Sequence, residues 1–262
     1  MTTVHLIKNY LTNNDCYKAG KTIKPKGVMV HSTGANNPNL KRYVQPNVSG
    51  IGENANRNDW NRPGVQKCVH AFIGKLANGS IATVQTLPWE HRGWHCGGDG
   101  NNTHISFEIC EDNLTNKDYF AKVYQEAVEL TAYLCKLYDL DPKKDGVVIC
   151  HKEGKQRGIA TNHADVLHWF PKHGKDMDIF RADVVKAMGG AEEKDSGVPF
   201  KVKVTSKTLN IRNGPGLSYG RVSYIKPGVY TITEVAEGRG ASAWYRLKSG
   251  AGWISADYAV KI

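Results

Sequence analysis

The sequence predicts a mixed α/β unit, a central β-sheet flanked by helices, followed by a small all-β barrel. Three observations predict it. Five short apolar runs of strand length occur in the first 151 residues, and a single long helical periodicity stands between the last two. After a polar, Gly-rich stretch near residue 190 the texture changes to short β-branched runs separated by Gly- and Pro-containing turns.

The apolar runs are residues 27–31 (Gly-Val-Met-Val-His), 70–73, 81–84, 104–109 and 147–151. Continuous apolar runs suit strands covered on both faces. Phe120, Val123, Ala127, Leu130, Leu134 and Leu137 recur at helical spacing. Thr115 with Asp118 reads as a capping box for that helix, with Leu114 stapled onto Tyr119. A second amphipathic helix is expected over residues 179–188. Residues 1–188 thus form one unit, 189–199 a linker, and 200–262 the all-β unit.

At 40% apolar and 23% charged residues the chain reads as a folded globular protein. No apolar run is long enough to span a membrane, so no membrane insertion is expected. The N-terminal residues lack the apolar core of a secretory signal. The six cysteines, Cys16, Cys68, Cys96, Cys110, Cys135 and Cys150, form no CxxC pair and are expected to be free thiols. Net charge is +10, and residues 200–262 hold ten Lys and Arg against three Asp and Glu. A small unit this basic favours a polyanionic partner. No nucleic-acid fingerprint with interleaved aromatics accompanies the charge, so no nucleic-acid partner is expected.

His31 and His151 each end a short apolar strand. In sheets flanked by helices, ligands gather at strand ends, where side chains leave the core. Two such histidines and one carboxylate or thiolate would make a three-ligand zinc site with an open fourth position, the catalytic arrangement. Residues 158–170 offer His163, Asp165 and His168 for the third place. Glu108 stands inside an apolar strand, where a carboxylate is costly unless paired or beside a metal. Burial raises its pKa towards the range of a general base at neutrality. A thiol peptidase built on Cys150 or Cys110 is the rival enzyme, and a binding module without catalysis the non-enzymatic one.

Residues 28–33 (Val-Met-Val-His-Ser-Thr) resemble the opening strand of the type 2 N-acetylmuramoyl-L-alanine amidases, which include phage lysozyme-amidases and animal peptidoglycan recognition proteins. Further likenesses follow in the same order. Residues 70–73 with Asn78-Gly79-Ser80-Ile81 resemble the family's strand-turn-strand, and Gly93-Trp94-His95-Cys96-Gly97 its Ala-Trp-His-Ala-Gly segment. Ser106-Phe107-Glu108-Ile109 resembles its Gly-Ile-Glu strand, and Val148-Ile149-Cys150-His151 the strand bearing its second zinc histidine. The likeness covers about residues 25–185.

The resemblance implies Zn2+ on His31, His151 and a third ligand from the family pattern Lys-x-Asp/Cys-Pro-Gly-x-x-Phe. With Asp165 as that ligand, Phe170 follows at the required distance and His163 takes the Lys position. With His163 as the ligand, Thr161 takes it. The resemblance favours Asp165, although the chain lacks the Lys and the Pro-Gly. It also implies Glu108 as general base, His163 as the cation that stabilises the oxyanion, and Trp94 and His95 as walls of the substrate groove.

Residues 208–216, Trp244-Tyr245-Arg246-Leu247 and Gly252-Trp253-Ile254 resemble a bacterial SH3 domain. That implies an SH3-like barrel that binds cell wall through residues 200–262, with Tyr219, Tyr224, Trp244 and Tyr258 as contact or core. Together the resemblances imply hydrolysis of the bond between N-acetylmuramic acid and L-alanine in bacterial peptidoglycan. They fit a phage endolysin or an autolysin of a Gram-positive host, made in the cytoplasm without a signal peptide and reaching the wall with a holin's help.

Overall fold

The computed structural model describes residues 6–189 and 199–262. The chain divides into two compact units, Met1–Ala191 and Glu192–Ile262. Residues 190–198, most of the expected linker, lie outside the described residues.

The first unit carries β1 (Leu6–Lys8), α1 (Asp15–Ala19), β2 (Gly27–Ser32), β3 (Ala71–Lys75), β4 (Ile81–Gln85), β5 (His104–Ile109), α2 (Lys117–Leu137), β6 (Val148–Cys150), α3 (His151–Gln156) and α4 (Met177–Ala187). Its six strands run in the order β1-β4-β3-β5-β2-β6. The β3–β4 hairpin is antiparallel and the other pairs are parallel.

Strand alternation sorts the side chains into two faces. Val28, Val30, Ala71, Ile73, Ile105, Phe107 and Ile109 join the buried stripe of α2, with Phe120, Val123, Ala127, Leu130 and Leu134, in one core. Phe72, Ala82 and Val84 pack with Leu11, Leu40 and Ile51 in a second cluster. Met29 and Ile149 pack with Cys96 in a third. The intervening positions of β2 and β5 therefore leave the face away from α2, and His31 and Glu108 are among them.

Strands β2 to β6 match expectation within two residues, whereas β1 and α1 have no counterpart among the expected elements. The helix caps differ. The α2 cap is Asn116, whose side chain accepts the Tyr119 N–H at 3.0 Å. The expected cap, Thr115, turns its hydroxyl to the Asn113 side chain at 3.0 Å instead. Leu114 packs against the cluster containing Tyr119, as a staple would. Helix α4 begins at Met177, two residues earlier than expected, because the Asp176 carboxylate accepts the Ile179 N–H at 2.7 Å. His151 does not end β6; it opens α3. The Cys150 N–H is taken at 2.9 Å by the Glu153 carboxylate, which Arg181 of α4 clamps at 3.1 Å.

The second unit carries β7 (Phe200–Val204), β8 (Leu209–Arg212), β9 (Arg221–Ile225), β10 (Gly228–Ala236), β11 (Trp244–Leu247), β12 (Trp253–Ser255) and β13 (Ala259–Lys261). They form an antiparallel sheet in the order β13-β7-β10-β11-β12-β8-β9. Register shifts in β8 and β10 bend it. Val202, Val204, Leu209, Ile211, Ile225, Ile232, Leu247 and Ile254 form its core. Among the described residues the end strands β13 and β9 do not pair, so no closed barrel is seen. Trp244 and Trp253 are buried, whereas Tyr219, Tyr224 and Tyr258 are exposed. Gly252 is required where it stands: a Cβ there would lie 2.3 Å from the Arg212 carbonyl oxygen.

Candidate active site

Three donor atoms from three distant segments converge beyond β2. His31 Nδ1 lies 2.7 Å from Asp165 Oδ2, His151 Nδ1 lies 2.9 Å from the same oxygen, and the two Nδ1 atoms are 3.2 Å apart. His31 and His151 are buried, and Asp165 is partly so. Asp165 begins the 3-10 turn Asp165–His168, and its φ of 21° lies in the sparsely populated left-handed region. Of the three candidates for the third place, Asp165 alone joins the two histidines. His163 stands behind His151, its Nδ1 3.3 Å from His151 Nε2, and is exposed. His168 pairs with Glu111 at 3.0 Å.

Hydrogen bonds on the outer side of His151 favour one tautomer. The Thr161 hydroxyl donates to the Cys96 carbonyl at 3.1 Å, so it offers His151 Nε2, 3.2 Å away, a lone pair. His151 then donates from Nε2, which leaves Nδ1 bare towards the Asp165 oxygen. Two lone pairs this close are favourable only with a proton or a metal cation between them. Thr161 reaches this place because residue 97 has no side chain: a Cβ on Gly97 would lie 2.7 Å from Thr161 Cγ2.

Two nitrogens and a carboxylate oxygen are an ordinary donor set for zinc, and their spacing sits slightly inside the roughly 3.3 Å edge of a tetrahedron with zinc-ligand bonds of about 2.0 Å. The charge states suit a metal as well. Burial pushes the His31 pKa down, against the pull of Asp165. Burial alone would raise Asp165, but the two imidazoles beside it hold it well below the usual carboxylate range. Neutral imidazole and ionised carboxylate are the forms that bind a metal.

Glu108 faces the same side as His31. Burial pushes its pKa well up, and the charges of Asp165 and Glu111 add to this. Its Oε2 is buried without a hydrogen-bond partner. His95, expected in the groove wall, packs against His31, with Nδ1 3.0 Å from His31 Nε2 and its own Nε2 buried. Trp94 is exposed, under the Arg92 guanidinium at 5.0 Å.

The thiol alternative loses its nucleophile. Cys150 and Cys110 are fully buried, and burial pushes the first to about 11 and the second well above the ordinary thiol value. Cys150 also sits in the core against α2, whereas His151 turns to the donor set.

The fold has a counterpart among solved structures. The chain is similar to the Staphylococcus aureus hydrolase AmiA solved in complex with its ligand, at 19% identity, covering 73% of this chain and 89% of that one with a TM-score of 0.54. It is also similar to a mutant endolysin from Bacillus subtilis, at 21% identity, covering 70% of this chain and 99% of that one with a TM-score of 0.49. No match is found among curated proteins. The N-acetylmuramoyl-L-alanine amidase family model matches residues 21–168, more than half of the chain and the whole span from β2 to Asp165. The chain therefore belongs to the N-acetylmuramoyl-L-alanine amidase family.

Proposed function

We propose that this chain is a zinc-dependent amidase that cuts the bond between the lactyl group of N-acetylmuramic acid and L-alanine in peptidoglycan. The observation that carries the zinc reading is the convergence of His31 Nδ1, His151 Nδ1 and Asp165 Oδ2 within 3.2 Å of one another. A zinc ion held by His31, His151 and Asp165 would supply Lewis acidity to the scissile carbonyl and to water. Glu108 takes a proton from the attacking water, whose oxygen adds to the lactyl carbonyl carbon. His163, at the exposed rim, donates to the developing oxyanion. Glu108 then delivers its proton to the L-alanine nitrogen as the C–N bond breaks. The products are a lactyl carboxylate and a free amino group. Trp94 offers an exposed aromatic face to the substrate, while His95 steadies His31 from behind.

Residues 200–262 bind the wall in this reading and act as an SH3-like unit. The exposed Tyr219, Tyr224 and Tyr258 and the surplus of ten basic over three acidic residues support that role. A catalytic unit followed by a wall binder fits a lysin, of a phage or of the cell itself, acting on a Gram-positive wall from outside the membrane. Free amino groups released from purified walls measure the reaction. Release should stop on chelation and return with zinc; release that persists in the chelated, metal-free protein would overturn the zinc reading.

A further inference from the structure

We infer that Glu111 is a positioning residue that sets the donor geometry from outside the site; the inference rests on the zinc reading above. Glu111 is 3% exposed, and a buried carboxylate is costly unless its oxygens are satisfied. Its Oε1 accepts the Gly34 N–H at 3.0 Å and lies 3.0 Å from His168 Nε2. Its own N–H donates to Thr33 Oγ1 at 3.0 Å. Gly34 stands three residues after His31, His168 three after Asp165, and Glu111 three after Glu108. One buried carboxylate thus ties together the three segments that carry two donors and the general base.

The sheet does not need this tie. Strands β2 and β5 are already paired over their full length, from Gly27 with His104 to Ser32 with Ile109. The turn after Asp165 is anchored in the core by Val166, Trp169 and Phe170. What Glu111 adds is the register of that turn against the end of β2. Asp165 sits there at a φ of 21°, a conformation that relaxes unless surrounding contacts hold it. A donor displaced by about half an ångström is a poor one, and loss of an outer partner of a metal ligand typically weakens metal affinity roughly ten- to hundredfold.

The test is zinc affinity of the full chain, measured by competition with a chromophoric chelator, alongside the melting temperature of the metal-free protein. Glu111→Ala and His168→Ala should each weaken zinc binding roughly ten- to hundredfold. Glu111→Gln keeps one oxygen that can accept from both the Gly34 N–H and the imidazole, and should stay within about threefold of wild type. His168 is partly exposed, so His168→Ala keeps the metal-free melting temperature and isolates positioning from folding. Wild-type zinc affinity in both His168→Ala and Glu111→Ala would overturn the inference alone. A wild-type chain that takes up no zinc would overturn the zinc reading with it.

Discussion

Glu108 and His31 stand opposite one another as register partners on adjacent parallel strands, with both side chains leaving the sheet face that α2 does not cover. One residue thereby belongs to the donor set, and its neighbour is the proposed base. Glu108→Gln keeps shape and removes the base. It should retain zinc and lower kcat about 10²- to 10⁴-fold. Turnover on purified walls, with metal content measured on the same preparation, checks this; undiminished turnover removes Glu108 from the mechanism.

Asp165 and His163 separate by metal content. Asp165→Asn loses the charge between two imidazoles and should lose zinc. His163→Asn should keep zinc and lose turnover, because His163 meets the outer edge of His151 rather than the donor set. Elemental analysis of the two purified variants decides. Zinc retained by Asp165→Asn and lost from His163→Asn would reverse the assignment.

Thr161 selects the tautomer of His151 through the Cys96 carbonyl. Thr161→Val, of equal size, should weaken zinc binding roughly tenfold or more, whereas Thr161→Ser should not. Nitrogen chemical shifts of the His151 ring in the metal-free protein report the tautomer directly. The same shifts in wild type and Thr161→Val would discard the idea.

His70 makes stability depend on pH. It is fully buried, its Nδ1 accepts the Ser106 N–H at 3.0 Å, and its Nε2 donates to the His91 carbonyl at 2.7 Å. Burial lowers its pKa from 6.5 to about 4, despite the opposing pull of the His91 bond. The folded state therefore refuses a proton that the unfolded chain accepts. This contribution is complete above pH 6.5 and is lost as pH falls towards 4, up to about 3 kcal/mol. Urea unfolding of the metal-free protein between pH 7 and pH 4 should show it, with a shallower slope in His70→Gln.

Asn116 rather than Thr115 caps α2. Asn116→Ala should cost about 1 kcal/mol and Thr115→Ala less than half of that. Equal losses in chemical denaturation would contradict the capping assignment.

The positions of His31 and Glu108 are legible in the sequence because each is an ionisable residue inside or at the end of a short apolar run. The long stripe from Phe120 to Leu134 is legible from its helical spacing. Asp165 is legible only as one of three candidates, since a 3-10 turn with an unusual φ has no period to read. Helix α3 escapes because six polar-rich residues show no apolar stripe, and its start depends on Glu153 reaching back to Cys150. Thr161 and Glu111 escape for a different reason. Each acts through partners more than sixty residues away, Cys96 for one and Gly34 for the other, and no local pattern encodes such a meeting.

The donor atoms of the site come from residues 31, 151 and 165. A chain cut before the last of these holds an incomplete donor set. In the proposed reading, hydrolysis therefore waits until synthesis has passed the final donor and distant segments have closed upon one another.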